Sequence, residues 1–346
     1  MNDIIERIKY IIPQEAKNDI KNLLIKHRCF YLMHFIDDSN MTSFLEKRMA
    51  IEAIAVKERY NLCKEMIKNF KFKYAIIKGA VLSKRIYSNI AYRPSGDIDF
   101  LVNPKDLTLI ASFMYELGFV QGNISKNEIK SYEREEILFQ TIFTHQAPQF
   151  VKKTNNFICP FVCVDFNTDL LWGESTTSLN MDTVLNYTEN DEICGLTIKK
   201  LHPFMEFISL CLHHYKDMNS IFLLVHKSLK LSLFCDIYFY MKTIINERYE
   251  IFLLSKKLGV DKYIHYCIYY THLIFDDDIT SEWLSTFTSS RDDVIIDSFG
   301  LNDKERQKWS IGFFERLFND DLSSYLRGEL SADNLTKLNK NDLYMK

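Results

Sequence analysis

Residues 74–102 read YAIIKGAVLSKRIYSNIAYRPSGDIDFLV. The apolar run Tyr74–Ile77 predicts a short buried strand, and residues 80–90 have the pattern of a helix. A concentrated turn signal, Arg-Pro-Ser-Gly at residues 93–96, precedes Asp97–Val102, which predicts a second strand. The segment therefore predicts a strand, a helix and another strand, joined by two tight turns.

Asp97 and Asp99 are the chemically most informative residues of this segment. Residues i and i+2 of a strand lie on one face, so the two carboxylates point the same way, while Ile98 and Phe100 point towards a core. Adjacent carboxylates repel each other, and a cation between them relieves the repulsion. The pair alone is more typical of a solvated strand surface, so a metal-binding interpretation depends on its surroundings.

The turn before the predicted helix has the composition of a phosphate-binding site. Gly79 allows the backbone to approach a ligand closely, and the helix N-terminus offers free N–H groups and a positive dipole. Lys78, Arg85 and Arg93 supply positive charge nearby. A phosphate cradle beside paired metal-binding carboxylates is what nucleotidyl transfer requires, because two divalent ions stabilise its attacking and leaving oxygens.

This combination resembles the nucleotidyltransferase superfamily with the polymerase-β-like fold. The hallmark of that superfamily is a strand ending in Gly-Ser or a close variant, a helix, and Asp-hydrophobic-Asp/Glu on the next strand. Within the superfamily, the chain is similar to a bacterial group of uncharacterised nucleotidyltransferases that often lie beside peptide or natural-product biosynthesis genes. The residues that carry this similarity are Ile77–Leu82, Tyr87, Arg93, Gly96–Val102 and Leu117–Phe119. The close resemblance covers roughly residues 70–175, and Ala80 stands where the hallmark serine is usual.

The resemblance implies a metal site made of three carboxylates. Asp97 and Asp99 would bind two Mg²⁺ ions, with Mn²⁺ as an alternative. The third carboxylate would be Asp165, which would also draw the proton from the acceptor hydroxyl. Asp169 is the competing choice, because it shares a face with Asp165 if the strand continues. Asn167 stands where the group usually has a histidine.

The resemblance also implies the reaction and its substrates. Lys78, Gly79, Arg85 and Arg93 would hold the triphosphate of an NTP, with ATP as the expected donor. An NMP group would move to a hydroxyl or similar group of a peptide, small-molecule, protein or tRNA acceptor, and pyrophosphate would leave. A toxin-type nucleotidyltransferase acting on tRNA or protein is one alternative. A non-catalytic nucleotide-binding or partner-binding module on the same fold is another.

Composition indicates the fold class and the cellular compartment. The 346 residues contain only 10 Gly and 6 Pro, less than half of average usage. This scarcity favours long helices over a sandwich or barrel. The net charge of −3 offers no basic excess for a long nucleic acid. The lack of a signal peptide or long uncharged apolar run predicts a cytoplasmic protein without membrane association.

The eight cysteines include no Cys-x-x-Cys pair. Free cysteines in a reducing compartment are therefore expected, and a zinc site with clustered Cys/His spacing is not.

We expect an α+β, helix-rich fold with a small mixed β-sheet core. The predicted regions are an N-terminal helical region (residues 1–70), a nucleotidyltransferase catalytic core (71–200) and a C-terminal helical domain (201–346). The stretches Glu136–Phe150 and Phe157–Asp169 are rich in β-branched and aromatic residues and are predicted to add strands.

Three polar residues of the C-terminal region keep two interpretations each. His213 and His214 lie on a predicted helix and belong either to a packed or surface helix or to an acceptor or nucleotide contact. Asp236 lies within an apolar helical pattern, so it is either part of a structural ion pair or the wall of a pocket.

Overall fold

The computed structural model describes residues 2–14, 19–36, 38–173, 175 and 177–344. Helices account for 58% of the structure, and a mixed sheet of eight strands accounts for most of the rest of its regular structure in the described residues. The α+β, helix-rich class is therefore confirmed. The expected size of the sheet is wrong, because a hairpin extends it at each edge.

The helices, in chain order, are α1 (Asn2–Ile11), α2 (Ile20–Lys26), α3 (Phe30–Met33), α4 (Ser39–Asn69), α5 (Gly79–Tyr87), α6 (Leu107–Glu116), α7 (Arg134–Phe143), α8 (Met181–Val184), α9 (Pro203–Asn219), α10 (Ile221–Lys227), α11 (Leu231–Thr243), α12 (Arg248–Leu258), α13 (Asp261–Phe275), α14 (Asp278–Thr286), α15 (Asp293–Ile296), α16 (Phe313–Phe318), α17 (Leu322–Glu329) and α18 (Ala332–Tyr344). Short 3₁₀ turns lie at Pro104–Asp106, Ile245–Glu247 and Thr288–Ser290.

The strands are β1 (Tyr74–Ile77), β2 (Asp97–Val102), β3 (Val120–Ser125), β4 (Glu128–Ser131), β5 (Phe150–Lys153), β6 (Phe161–Asn167), β7 (Thr188–Ile193), β8 (Leu196–Leu201), β9 (Ser298–Phe299) and β10 (Gln307–Lys308). The large sheet has the order β4-β3-β5-β6-β2-β1-β8-β7, and β9 and β10 form a separate ribbon. Near its centre, β2 pairs in parallel with β6 and antiparallel with β1. The two strands of the predicted strand–helix–strand segment are thus neighbours near the centre of the sheet, and α5 connects them.

One face of β2 and β6 is apolar. Ile98, Phe100, Val164 and Phe166 belong to one buried cluster, and the rings of Phe100 and Phe166 stack with centroids 5.3 Å apart. Because side chains alternate along a strand, the residues between them face the other side of the sheet. The predicted inward orientation of Ile98 and Phe100 is confirmed.

Both outer hairpins have weak sequence signals. Lys126 and Asn127 join β3 to β4, Cys194 and Gly195 join β7 to β8, and all four residues have positive φ. Two consecutive positive φ values are typical of tight hairpin turns, which usually carry Asn-Gly or a similar pair. Neither turn has that pair, so neither hairpin was predicted.

The prediction of strand structure from Glu136 to Phe150 is wrong for its first part, which forms α7. Glu133 caps this helix, because its side chain accepts from the backbone of Glu136 and the Glu136 side chain accepts from the backbone of Glu133. This local capping outweighs the β-branched and aromatic composition. The following prediction holds, because β6 lies within Phe157–Asp169.

The chain divides into two compact units. One comprises Glu46–Glu206 and contains the large sheet, and the other comprises Met1–Leu45 and Phe207–Lys346. In the second unit Phe207 and Trp283 are fully buried, and their ring centroids lie 4.8 Å apart. In the described part of the chain, none of the helices combines the length and the apolar character that a membrane crossing requires.

Candidate active site

Strands β2 and β6 bring three carboxylates to one face of the sheet. Asp99 lies opposite Asp165 in the parallel register, and Asp97 precedes Asp99 by two residues. Paired strands lie about 4.8 Å apart, so Asp99 has one acidic neighbour along its own strand and another across the strand pair. Asp99 and Asp165 are only 8% and 7% exposed, and Asp97 is half-buried.

Polar side chains hold each carboxylate in place. Lys78 Nζ and Asn167 Nδ2 each donate to Asp99 Oδ1 at 3.2 Å. Ser95 Oγ donates to Asp97 Oδ1 at 2.7 Å, and Gln149 Nε2 donates to Asp165 Oδ1 at 3.1 Å.

Three of these partners carry no strong sequence signal as site residues. In the sequence, Asn167 stands out only as a departure from the usual histidine, and no pattern singles out Gln149 or Ser95. Gln149 lies close to the carboxylates through the sheet, because β5, which begins at Phe150, pairs with β6.

Burial and neighbouring carboxylates raise the pKa of two of these groups, Asp165 and Asp97. The pKa of Asp165 rises from 3.8 to about 7 because burial, as the largest cause, and the charges of Asp99 and Asp97 outweigh the hydrogen bond from Gln149 and the charge of Lys78. Burial and the charge of Asp99 also raise the pKa of Asp97. The ionised cluster therefore carries an electrostatic cost that a cation would offset.

This donor set fits Mg²⁺. Carboxylate oxygens are the ligands that this hard cation prefers, and Mg²⁺ sites commonly use one or two carboxylates together with substrate phosphates. Burial and the neighbouring carboxylates raise the pKa of Asp97 and Asp165, so a bound cation would stabilise their ionised forms. Asp97, Asp99 and Asp165 are therefore the residues that could hold the two Mg²⁺ ions implied by the sequence.

The turn between β1 and α5 has unusual backbone geometry. Lys78 has φ +60° and ψ −152°, and Gly79 follows with φ +48°. A positive φ at lysine costs free energy and persists only where the surrounding structure enforces it. A Cβ on Gly79 would lie 3.4 Å from Ser95 Oγ, so this turn packs closely against the segment that leads into Asp97. The N-terminus of α5 therefore begins beside the carboxylates.

Arg59 on α4 supports the same segment and was missed from the sequence. It is 3% exposed, its Nη2 lies 2.7 Å from Glu52 Oε1, and its Nη1 donates to the carbonyl oxygen of Ser95. Arg59 also lines a cavity together with Lys78, Gly79, Asp97 and Asp99. The contact with Ser95 joins residues 36 positions apart, so no local sequence pattern announces it.

Arg59→Met is expected to lower the free energy of unfolding by roughly 2 kcal/mol, because the partly buried Glu52 carboxylate loses its charged partner and keeps the hydrogen bond from the Ser95 backbone. Urea unfolding of the full chain measures this loss. Lys57→Met is the matched control, because Lys57 is exposed on the same helix and its replacement should change stability by less than about 0.5 kcal/mol. Equal stability of the two variants would contradict the supporting role of Arg59.

The residues predicted to bind the nucleotide have different surroundings in the structure. Arg85 Nη2 lies 2.6 Å from Glu189 Oε1, and its Nε is ion-paired with Glu206. These contacts give no support to a nucleotide-binding role for Arg85. Arg93 donates its backbone N–H to Ser83 Oγ, and its positive charge opposes the rise in the pKa of Asp97. Arg93 therefore remains near the carboxylates, as do Lys78 and Gly79.

The two candidates for the third carboxylate occupy different environments. Asp165 lies on β6 in register with Asp99, whereas Asp169 follows the end of β6 at Asn167. The Asp169 carboxylate accepts from the backbone N–H groups of Leu171 and Leu179 at 3.0 and 3.2 Å. Asp165 therefore lies with the β2 carboxylates, whereas Asp169 binds backbone N–H groups after the end of β6.

A family model described as uncharacterised nucleotidyltransferase matches residues 45–276, which is more than half of the 346 residues. The matched range contains both strands that carry the carboxylates, the turn at Lys78 and Gly79, and the helix that carries Arg59 from residue 45 onwards. No curated protein and no solved structure matches the chain.

Proposed function

The chain belongs to this family of uncharacterised nucleotidyltransferases, and we propose that it transfers an NMP group from an NTP, with ATP as donor, to an acceptor hydroxyl. The observation that carries the proposal is the grouping of Asp97, Asp99 and Asp165 beside Lys78 and the start of α5. Acidic metal ligands and a phosphate-binding turn are the two parts that this reaction needs.

The carboxylates would hold two divalent cations. Asp97 and Asp99 would contribute to both sites, and Asp165 would contribute to the site nearest the acceptor. When bound, Mg²⁺ would neutralise phosphate charge and stabilise the attacking and leaving oxygens. Hydrogen bonds fix the positions of the carboxylate oxygens, because Ser95 donates to Asp97 and Gln149 donates to Asp165.

The triphosphate would bind where β1 passes into α5. Backbone N–H groups at the helix N-terminus favour a phosphate, and the positive φ of Gly79 turns the chain into that helix. Lys78 Nζ lies 3.2 Å from Asp99 Oδ1, at the edge of the carboxylate group. From there it would donate to a phosphate oxygen, and Arg93 would add positive charge on the Asp97 side.

Asp165 is the proposed general base. Its carboxylate lies on β6 opposite Asp99, beside the groups that would hold the cations, so it is placed to receive a proton there. It would accept the proton of the acceptor hydroxyl as that oxygen forms a bond to the α-phosphorus. The bond from the α-phosphorus to the bridging oxygen of the β-phosphate would break, and pyrophosphate would leave.

Several classes of acceptor are compatible with the proposed reaction. A peptide or small-molecule hydroxyl is favoured, because the net charge of −3 provides no general attraction for a nucleic acid. A tRNA or protein acceptor would correspond to the toxin-type alternative. A folded module that binds a nucleotide without catalysis is the competing function of another class.

Incubation of the full chain with each α-labelled NTP, Mg²⁺ and separate pools of metabolites, peptides, tRNA and protein tests the proposal. We expect label transfer and pyrophosphate release with one NTP and one pool, and loss of both on addition of EDTA. Transfer to tRNA or protein would support the toxin-type function. Nucleotide binding that Asp97→Ala leaves unchanged, together with no transfer in any pool, would contradict catalysis.

Lys78→Met is expected to raise the KM for the NTP by about 10- to 100-fold, because a hydrogen bond from a charged donor to phosphate is lost. Initial rates of pyrophosphate release at increasing NTP concentration measure the change. Lys84→Met is the matched control on the adjacent helix, because Lys84 Nζ is bound to Asp191 Oδ1 at 2.7 Å. A similar rise in KM for both variants would count against phosphate binding by Lys78.

A further inference from the structure

Helix α9 carries a compact group of ligating side chains. His213, His214 and Asp217 each place one possible ligand atom within 4.8 Å of those of the other two. Within the part of the chain that the structure describes, no other group of three His, Cys, Asp or Glu residues has this spacing. His213 Nε2 lies 3.4 Å from Asp217 Oδ2, one helical turn further along. The donor atoms are therefore close enough for small side-chain rotations to bring them to one ion.

His214 supplies an independent sign of a ligand. It is 0% exposed, and neither ring nitrogen has a hydrogen-bond partner among the described residues. A neutral imidazole has one donor and one acceptor, and burying both without partners costs free energy. Asp236 Oδ2 on α11 lies 3.7 Å from His214 Nε2, which is within ion-pair range but too long for a hydrogen bond.

We propose that His213, His214 and Asp217 bind a divalent transition-metal ion, with Zn²⁺ as the ion that fits best. Imidazole nitrogens favour zinc and its neighbours in the first transition row, whereas Mg²⁺ favours oxygen ligands. Zn²⁺ has no geometric preference from its d electrons, so it tolerates the spacing that one helix imposes. Three protein ligands leave a coordination position for water or another ligand.

Asp236 would not bind the metal itself but would orient the His214 ring. A histidine that binds a metal through one nitrogen usually donates its other N–H to a carboxylate, which orients the ring. Asp236 is placed to accept from His214 in this way, and Asp217 and Asp236 together balance a charge of +2. This accounts for a buried aspartate on an apolar helix and for both nitrogens of His214.

The proposal does not depend on the proposed nucleotidyl transfer. The ligand set differs from a zinc motif with clustered Cys/His spacing, because one of its members is a carboxylate. It gives His213, His214 and Asp236 roles at a ligand rather than in packing alone.

Metal content of the full, untagged chain tests the site. The background variant Cys194→Ser removes the exposed thiol. After treatment with EDTA, equilibration with Zn²⁺ and desalting, mass spectrometry should find about one zinc per chain, as for a site with three protein ligands. Asp217→Asn and His213→Gln should weaken zinc binding by about 100-fold or more. Their side chains are 22% and 21% exposed, so these replacements leave the core intact.

Two controls define the outcome. His272→Gln alters another His–Asp pair with the same helical spacing, His272 Nε2 to Asp276 Oδ1 at 3.8 Å, and should retain zinc. Asp99→Asn should also retain it, which separates this site from the carboxylates of the sheet. Co²⁺ loading should give a visible absorption spectrum that Asp217→Asn abolishes. The proposal is overturned if the parent chain retains no zinc, or if Asp217→Asn and His213→Gln retain as much as the parent.

Discussion

Asp99→Asn is expected to lower the rate of nucleotidyl transfer by about a thousand-fold or more, which corresponds to at least about 4 kcal/mol of lost transition-state stabilisation. Asp99 is the middle carboxylate, since it neighbours Asp97 along β2 and Asp165 across the strand pair. Its replacement removes charge that both proposed cation sites share. Asparagine keeps the shape of the side chain and an oxygen that accepts from Asn167, so the fold should persist.

Pyrophosphate release at saturating NTP and Mg²⁺ measures this loss, and circular dichroism verifies the fold. Asp169→Asn is the matched control, because its carboxylate bonds to loop backbone at Leu171 and Leu179. That variant should retain a rate within about threefold of the parent, as expected for a residue without contact to the reacting groups. Loss of activity in Asp169→Asn but not in Asp99→Asn would contradict the proposed carboxylate set.

Asp165→Asn is expected to abolish transfer and yet to stabilise the metal-free protein by roughly 4 kcal/mol at pH 8. Burial and the charges of Asp99 and Asp97 raise the folded-state pKa of Asp165 from 3.8 to about 7. Between these two values the folded chain binds more protons than the unfolded chain, so stability falls as pH rises through this window. Above pH 7 the full cost of the charge is present, and asparagine removes it.

Urea unfolding in EDTA from pH 4 to pH 8 measures the effect. The difference between the variant and the parent should be largest above pH 7 and should shrink as the pH falls towards 4, where Asp165 is protonated in the folded state and about half protonated in the unfolded state. Added Mg²⁺ should then stabilise the parent more than the variant, because ligand binding favours the folded state. A parent that is more stable than the variant at pH 8 in EDTA would contradict the electrostatic cost at this site.

The proposed site was partly predictable because some of its determinants are local. The two-residue period of a strand is a property of the backbone, so Asp97 and Asp99 could be assigned to one face and Ile98 to the other. The Gly79 turn followed from composition in the same way. Arg85 has the same local context, and its contacts with Glu189 and Glu206 come from residues more than 100 positions away.

The outer parts of the sheet show the same limit. The turns at Lys126 and Cys194 adopt positive φ without the residue pairs that usually announce a hairpin. The sheet therefore extends further than its sequence signals indicate. Capping by Glu133 produced a helix where composition favoured a strand, because a few hydrogen bonds at a helix end outweigh a weak strand preference.

The amino-acid sequence by itself determined the class of fold, the strand–helix–strand segment and the pair Asp97 and Asp99, because these depend on short-range periodicity and turn chemistry. Only the tertiary structure decided that Asp165 lies beside Asp99, that Arg59 supports Ser95, and that His214 is buried near Asp236. These relations depend on strand register and helix packing between distant residues. Burial then sets the strength of their charges, since a carboxylate acquires a pKa of about 7 only when folding removes it from water and brings other carboxylates close.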